Sequence, residues 1–345
     1  MSVGSRSGPG WIVAARRSLW ERWTYRWWSA GWRFARSLPE PVVDRVFAAV
    51  ADMAWARRTG PVRQLEDNLA HVLAAPAGEG PRPAPAPGQA RAMARVAMRS
   101  YMRYWSEMFR LPDWSPERVR SMVRVDGEEV IDAAIAAGHG IILALPHMAN
   151  WDLGGAWAGL RGLPVTTVVE RVRPERLFQQ FLAYRQAFGL EVVPLTGSDT
   201  AVLGTLVDRL RHNRLVPLLA DRDLLGSGIP VRFFGAPARL PPGPALLALR
   251  TGAPLVPGGL WYDDAGVRIH LYEPVHDPGV GTTRERVVAM TQQVADAMAD
   301  AIRAHPTDWH MLQPVWAGEP PTAPRRAAPD PVAGAGSRPP GSPDG

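Results

Sequence analysis

Between Gly140 and Pro146 the chain reads Ile141-Ile142-Leu143-Ala144-Leu145, with no polar residue to break the run. A strand with one wet face alternates apolar and polar residues, so a short uninterrupted run marks a strand covered on both faces, as in a parallel sheet. Such a sheet needs helices on either side. From Val123 onward the sequence supplies them by alternating strand-like and helix-like segments. Strands are expected at 123–125, 140–145, 165–169, 191–194, 216–219, 255–259 and 267–271. Helices are expected at 126–137, 151–160, 174–188, 200–211, 244–250 and 283–304. The fold class that follows is α/β, a central mixed, mostly parallel sheet flanked by helices, with N-terminal amphipathic and helical additions.

Ligands of such sheets bind at the carboxyl ends of the strands, and there the chain places His147, with Asn150 and Asp152 just beyond. Asn150 is suited to cap a helix beginning at Trp151. A turn would then separate His147 from Asp152 and could return the carboxylate to the imidazole, fixing its tautomer and stabilising its protonated form. An ordinary polar turn has the same composition, so the pair alone does not define a site.

The 345 residues include no cysteine, which excludes disulfides, thiol catalysis and cysteine-based metal centres. The net charge of +6 is concentrated. Residues 1–36 hold Arg6, Arg16, Arg17, Arg22, Arg26, Arg33 and Arg36 against the single acid Glu21, so the rest of the chain is balanced. A basic stripe across the fold or a nucleic-acid-binding motif is missing, which argues against nucleic acid as a partner.

The same segment carries Trp11, Trp20, Trp23, Trp27, Trp28 and Trp32. At about 100° per residue, Trp20, Trp23, Trp27 and Phe34 share a narrow arc, and Arg22, Arg26, Arg33 and Arg36 gather on another side. Trp32 falls off that arc. An aromatic and cationic helix of this kind suits the membrane interface; an aromatic stripe packed on the protein's own core is the alternative, and the two are compatible. No segment has the length of a transmembrane helix or the apolar core of a secretion signal, so a peripheral position on the cytoplasmic face of the cell membrane is expected. The organisation expected is a membrane-interface helix at 1–36, a helical region at 37–122 with a Pro/Ala linker at 76–88, an α/β core at 123–316 and a disordered tail at 317–345. Within the helical region, 41–75 reads as a continuing helix and about 89–111 as a second, rich in Met and aromatic residues that pack as core or line an acyl-chain entrance.

Several segments carry a family likeness in order: His147 to Asp152 after its strand, Thr167-Val168-Val169-Glu170-Arg171, Phe181 to Arg185, Leu219-Ala220-Asp221-Arg222-Asp223, and Phe233-Phe234-Gly235 before Pro241-Pro242-Gly243. Over about residues 20 to 316 the chain resembles the bacterial lipid A biosynthesis and phosphatidylinositol mannoside acyltransferases, and among them the actinobacterial phosphatidylinositol mannoside branch. In that branch a glutamate typically matches Asp221 and partners the histidine; here the side chain is one methylene shorter, and either Asp221 or Asp152 is left as the partner of His147. The resemblance implies transfer of a long acyl group from acyl-CoA to a mannose hydroxyl of a membrane glycolipid, with no cofactor beyond acyl-CoA as co-substrate. His147 would be the general base, with Asp221 and Asp152 as candidate orienting carboxylates. Arg185, or backbone N–H groups at the helix start by Asn150, would meet the oxyanion. Glu170 and Arg185 would grip the acceptor's head group or form a structural ion pair, Arg222 and Asp223 would contact substrate or form a turn pair, and Arg239 would meet a phosphate. The partners implied are acyl-CoA, a phosphoinositol mannoside or similar glycolipid, and an anionic membrane surface. The alternatives are a lipid A-type or other phospholipid acyltransferase using acyl-CoA or acyl carrier protein, a metal hydrolase with His147, Asp152, Asp221 and Asp223 as ligands, and a non-enzymatic lipid-binding protein. The metal reading is the weaker, since no His-x-His or His-Glu-x-x-His spacing occurs.

Overall fold

The computed structural model describes residues 23, 25, 26, 28–75, 86–171, 174–195, 199–224 and 226–316. The chain enters through α1 (residues 28–37), α2 (Glu40–Ala56), α3 (Gly60–Ala74) and α4 (Gln89–Arg110), which precede the sheet. The expected single helix over 41–75 is two. Pro61 has no N–H to give and its ring clashes with the preceding turn, so it opens α3 rather than continuing α2. Arg58 takes a positive φ of 46° in the link.

After a short helix α5 (Pro116–Ser121), β1 (Val123–Asp126), β2 (Ile141–Leu145), β5 (Leu215–Leu219), β8 (Leu255–Tyr262) and β9 (Val267–Leu271) form one sheet in the order β1-β9-β8-β2-β5. All neighbours are parallel except β8 and β9. A parallel pair, β3 (Thr166–Glu170) and β4 (Glu191–Leu195), adjoins β5 through a bridge from Val165 to Leu215. The sheet is therefore mixed and mostly parallel, as the apolar runs require. Every residue of β2 is buried, the position of an inner strand with helices over both faces. Gly140 enters it at φ +63°, where a Cβ would lie 2.7 Å from the Leu210 carbonyl oxygen and 2.8 Å from that of Arg214, so glycine is required.

Between the strands run α6 (Glu128–Ala136), α7 (Trp151–Leu160), α8 (Glu175–Ala187), α9 (Asp199–Arg211) and α10 (Gly243–Thr251), and α11 (Thr283–Ala304) closes the fold behind a Thr282/Glu285 capping box. The hairpin β6 (Ile229–Phe233) and β7 (Ala236–Leu240) was not expected. Its turn, Phe234-Gly235, has positive φ at both residues, as a two-residue hairpin of matching twist demands. Phe234 is held in that unfavourable conformation by packing on Phe233, Trp309 and Trp316 and by the Arg303 guanidinium over its ring.

The N-terminal aromatics divide between two environments. Trp23 and Phe34, both on the predicted arc, are exposed by 60% and 58%; Trp20 and Trp27 lie outside the described residues. Trp32, off the arc, is buried, donates its Nε1–H to the Phe109 carbonyl at 2.8 Å and packs on Phe181 and Tyr184 of α8. Trp28 packs on Trp105 and Phe109 of α4. Exposed Arg26 and Arg33 stand free of the core face, and Arg36 is held by Asp113. Among the described residues no helix is long and apolar enough to cross a membrane. The tail expected to be disordered, at 317–345, lies outside the described residues, as does most of the linker at 76–88.

Candidate active site

β2 and β5 are neighbours in parallel register, with Leu145 opposite Leu219. Two residues beyond each partner stand His147 and Asp221, so the register that buries both strands also brings these side chains together. The imidazole Nδ1 lies 2.6 Å from Asp221 Oδ1, and the His147 backbone N–H donates to Oδ2 at 2.8 Å. Asp221 is fully buried, while His147 keeps 20% of its side chain exposed. Burial pushes the Asp221 carboxyl up, but the facing His147 and the hydrogen bonds from its ring, from the Trp309 indole and from the His147 backbone bring it below its usual value. A carboxylate on Nδ1 assigns that nitrogen the proton and leaves Nε2 as the free base.

Asp152 does not return to the imidazole. α7 begins at Trp151, with Asn150 Oδ1 accepting from the Leu153 N–H as its cap, and Asp152 in the first turn points to α4 and α8. There it accepts a two-pronged bond from Arg185 at 2.7 and 3.1 Å and a third from the Tyr104 hydroxyl at 2.9 Å. Burial opposes the Arg185 charge, yet the Asp152 carboxylate facing it holds the guanidinium above its ordinary value. Both donors of Arg185 engaged here are turned to Asp152, so the pair Glu170–Arg185 does not form.

Glu170 instead faces Arg222 at 4.0 Å across the ends of β3 and β5. Arg222 is half-buried, and desolvation lowers its pKa despite Glu170 and Asp221 nearby. Asp223 accepts from the Gly228 N–H at 2.8 Å, a loop contact rather than a pair with Arg222. Asn150 is buried, its amide donating to Glu107 Oε2 at 2.9 Å, so both of its polar ends serve the scaffold. Arg239 lies exposed on β7, opposite Pro230. The four ligands of the metal alternative are thus dispersed, Asp152 to Arg185 and Asp223 to a backbone N–H. Among the described residues no group of three or more His, Cys, Asp or Glu is placed to hold a metal ion.

Sequence reasoning missed the supports around this pair. Trp309, fully buried, donates its indole N–H to Asp221 Oδ2 at 2.9 Å. The His310 N–H donates to the His147 carbonyl at 2.8 Å, and the Ala149 N–H to the Asp308 carbonyl at 2.9 Å. Behind them Glu107 accepts from Asn150, Tyr262 and Arg103, and burial raises its carboxyl above the ordinary range. A buried Trp-His dipeptide after a long helix carries no local signal of this role, because every contact is tertiary.

A partly exposed histidine oriented by a buried carboxylate at a strand end is the equipment of an acyl-transfer or hydrolytic enzyme. The sequence profile of the family described as bacterial lipid A biosynthesis acyltransferase matches residues 14–317, and the chain belongs to that family: it is an acyltransferase, one that moves groups other than aminoacyl groups, in lipid biosynthesis. It is 44% identical over 296 residues to the phosphatidylinositol mannoside acyltransferases of two Mycobacterium tuberculosis strains, CDC 1551 / Oshkosh and ATCC 25618 / H37Rv, covering 85% of this chain and 88% of each relative. It is 41% identical over 289 residues to the Mycolicibacterium smegmatis protein of the same name, covering 84% of this chain and 90% of that one.

Proposed function

We propose that the chain transfers a long fatty acyl group from acyl-CoA to a mannose hydroxyl of a phosphatidylinositol mannoside, with His147 as general base. The observation that carries this reading is the 2.6 Å contact of His147 with buried Asp221, in a chain so similar to relatives named for that acceptor. Nε2 takes the proton of the attacking hydroxyl as its oxygen bonds to the thioester carbon. The tetrahedral intermediate then expels the thiolate, which takes the proton back from the imidazolium. Asp221 orients the ring and stabilises its charged form. With Arg185 committed to Asp152, the half-buried Arg222 is the guanidinium suited to meet the oxyanion or an acceptor phosphate, and the exposed carboxylate of Glu170 is suited to sugar hydroxyls.

The enzyme works at the cytoplasmic face of the cell membrane in this reading. What supports it is the exposure of Trp23 and Phe34 and of Val42, Val46 and Met53 on α2, together with exposed Arg26 and Arg33, which suit anionic lipid. Incubating the purified full-length protein with phosphatidylinositol mannoside and either palmitoyl-CoA or palmitoyl-acyl carrier protein, with mass spectrometry of the products, tests acceptor and donor together. An acylated mannoside from palmitoyl-CoA is expected. Product from the carrier protein alone overturns the donor, and acylation of a different lipid in an acceptor panel overturns the acceptor.

A further inference from the structure

We infer that Trp309 is a positioning residue for the His147–Asp221 pair, fixing the orientation of the Asp221 carboxylate and moderating its basicity through the indole N–H. The inference rests on His147 being the base. A carboxylate one methylene from its backbone turns readily about its terminal bond, and a single hydrogen bond to an imidazole does not define its plane. Here Oδ1 serves the ring alone and Oδ2 accepts two N–H groups, one from the His147 backbone at 2.8 Å and one from Trp309 Nε1 at 2.9 Å. With both oxygens engaged, rotation would break bonds at each end, and because the group is buried it would leave buried donors unpaired.

Trp309 is itself immobilised. Its ring packs among Phe233, Phe234 and Trp316. Its backbone forms an antiparallel bridge with Met148, and the flanking residues tie to the other side of the same turn, His310 N–H to the His147 carbonyl and Asp308 carbonyl to the Ala149 N–H. Ala149 sits at φ +45°, a conformation costly for alanine that persists only where its surroundings impose it. One short segment therefore holds both halves of the pair: the backbone that carries His147 and the carboxylate that faces it.

The electrostatic consequence separates this role from packing. A donor on Oδ2 stabilises the ionised carboxylate and so shares its charge; without it, Asp221 becomes more basic and holds the imidazolium more tightly. The other groups facing the pair are Arg222 beside Asp221 with Glu170 4.0 Å beyond it, and His310, buried against His147. Asp308 is tied to Ser100 and the Tyr262 N–H, and Arg185 and Asp152 are paired with each other. All of these remain when the indole N–H alone is removed.

The test is acyl transfer by full-length enzyme from palmitoyl-CoA to phosphatidylinositol mannoside as a function of pH, in two forms. One is Trp309→Phe. The other replaces Trp309 with β-(3-benzothienyl)alanine, which keeps the ring outline and exchanges the N–H for sulfur, and which decides the matter if the phenylalanine variant does not fold. Both should lower kcat about tenfold with little change in acceptor KM, as for loss of a bond to a charged group, and should move the acidic limb of the pH profile upward by roughly one unit. Phe233→Leu, which loosens the same packing but leaves the N–H in place, should lower Tm without moving the limb. An unmoved limb in the benzothienyl form overturns the inference. Asp221→Asn keeps the two failures apart: if it retains full turnover, the reading of the pair as catalytic has failed, and if it collapses while the Trp309 forms behave as wild type, only the role of Trp309 has.

Discussion

At the scale of single residues the two carboxylates that sequence left as rivals have separate duties, and mutation should tell them apart. His147→Ala should keep its fold and lose on the order of 10²–10⁴ in turnover, with Asp221→Asn also losing turnover at little cost in Tm. Asp152→Asn should behave differently. It leaves the Arg185 guanidinium, whose side chain is only 16% exposed, without its carboxylate, and stranding a buried charge costs about 3–5 kcal/mol. Chemical denaturation should show that loss directly; an Asp152→Asn protein with native stability but no turnover would return Asp152 to the chemistry. His310 supplies a pH signature. Burial, with His147 nearby, holds it near 3, whereas an unfolded histidine titrates near about 6.5. Between those values the unfolded chain binds the extra proton, so stability is present above about pH 6.5 and falls by up to roughly 1.4 kcal/mol per unit as the pH drops. Glu107 and Asp308, raised by burial, act with the opposite sign, since their folded forms take protons first. Urea unfolding at pH 7 and pH 5 should show a smaller acid loss in His310→Gln than in wild type; equal losses would remove His310 as the source.

Secondary elements were legible where one physical signal dominated. The helix from Trp151 to Leu160, behind its Asn150 cap, and the long helix from Thr283 to Ala304 span the residues expected from the sequence, and β2 differs only by Gly140. Strand pairing was not readable, because it joins residues such as Leu145 and Leu219 that are far apart in sequence, and with it went the choice of Asp221 over Asp152. The β6–β7 hairpin escaped because Phe-Gly is a poor turn dipeptide, rescued by tertiary packing on Phe234. α1 combines both outcomes. Its Phe34 is exposed, as is Trp23 before it, but Trp32 is locked into the core through Phe109, Phe181 and Tyr184, so removing the N-terminal segment up to Ser37 cannot be a purely membrane-directed change. Trp32→Ala should destabilise the protein by about 3–5 kcal/mol, as deletion of a buried tryptophan does, while Trp23→Ala, at an exposed site, should stay within about 0.5 kcal/mol of wild type. Thermal melts of the two variants decide it, and comparable losses would mean that the outer arc also packs on protein.

Across the whole chain the charge is uneven: residues 1–36 carry the excess of arginine and the remainder is neutral. The His147–Asp221 pair sits at the carboxyl end of β2 and β5, and a run of contacts leads to it from the N-terminal helix, from Trp32 to Tyr184, its neighbour Arg185 to Asp152, Tyr104 to Trp151 and Trp151 to His147. In the function proposed above, the arginines of this segment would meet anionic lipid and the His147–Asp221 pair would receive a glycolipid. An exposed arginine near an anionic surface contributes about 1 kcal/mol, and that part is screened as the Debye length falls from about 10 Å at 0.1 M salt to about 3 Å at 1 M. The contribution of Trp23 and Phe34, being apolar, is not screened. Binding to anionic vesicles should therefore weaken steeply with salt to a residual level that Trp23→Ala lowers further, while turnover of a water-dispersed acceptor changes little over the same range. Sedimentation with vesicles across a salt series measures the first and a parallel acylation assay the second. Binding indifferent to salt would assign the attachment to the aromatic row alone, and a parallel fall in turnover of the dispersed acceptor would place the arginines in the reaction itself.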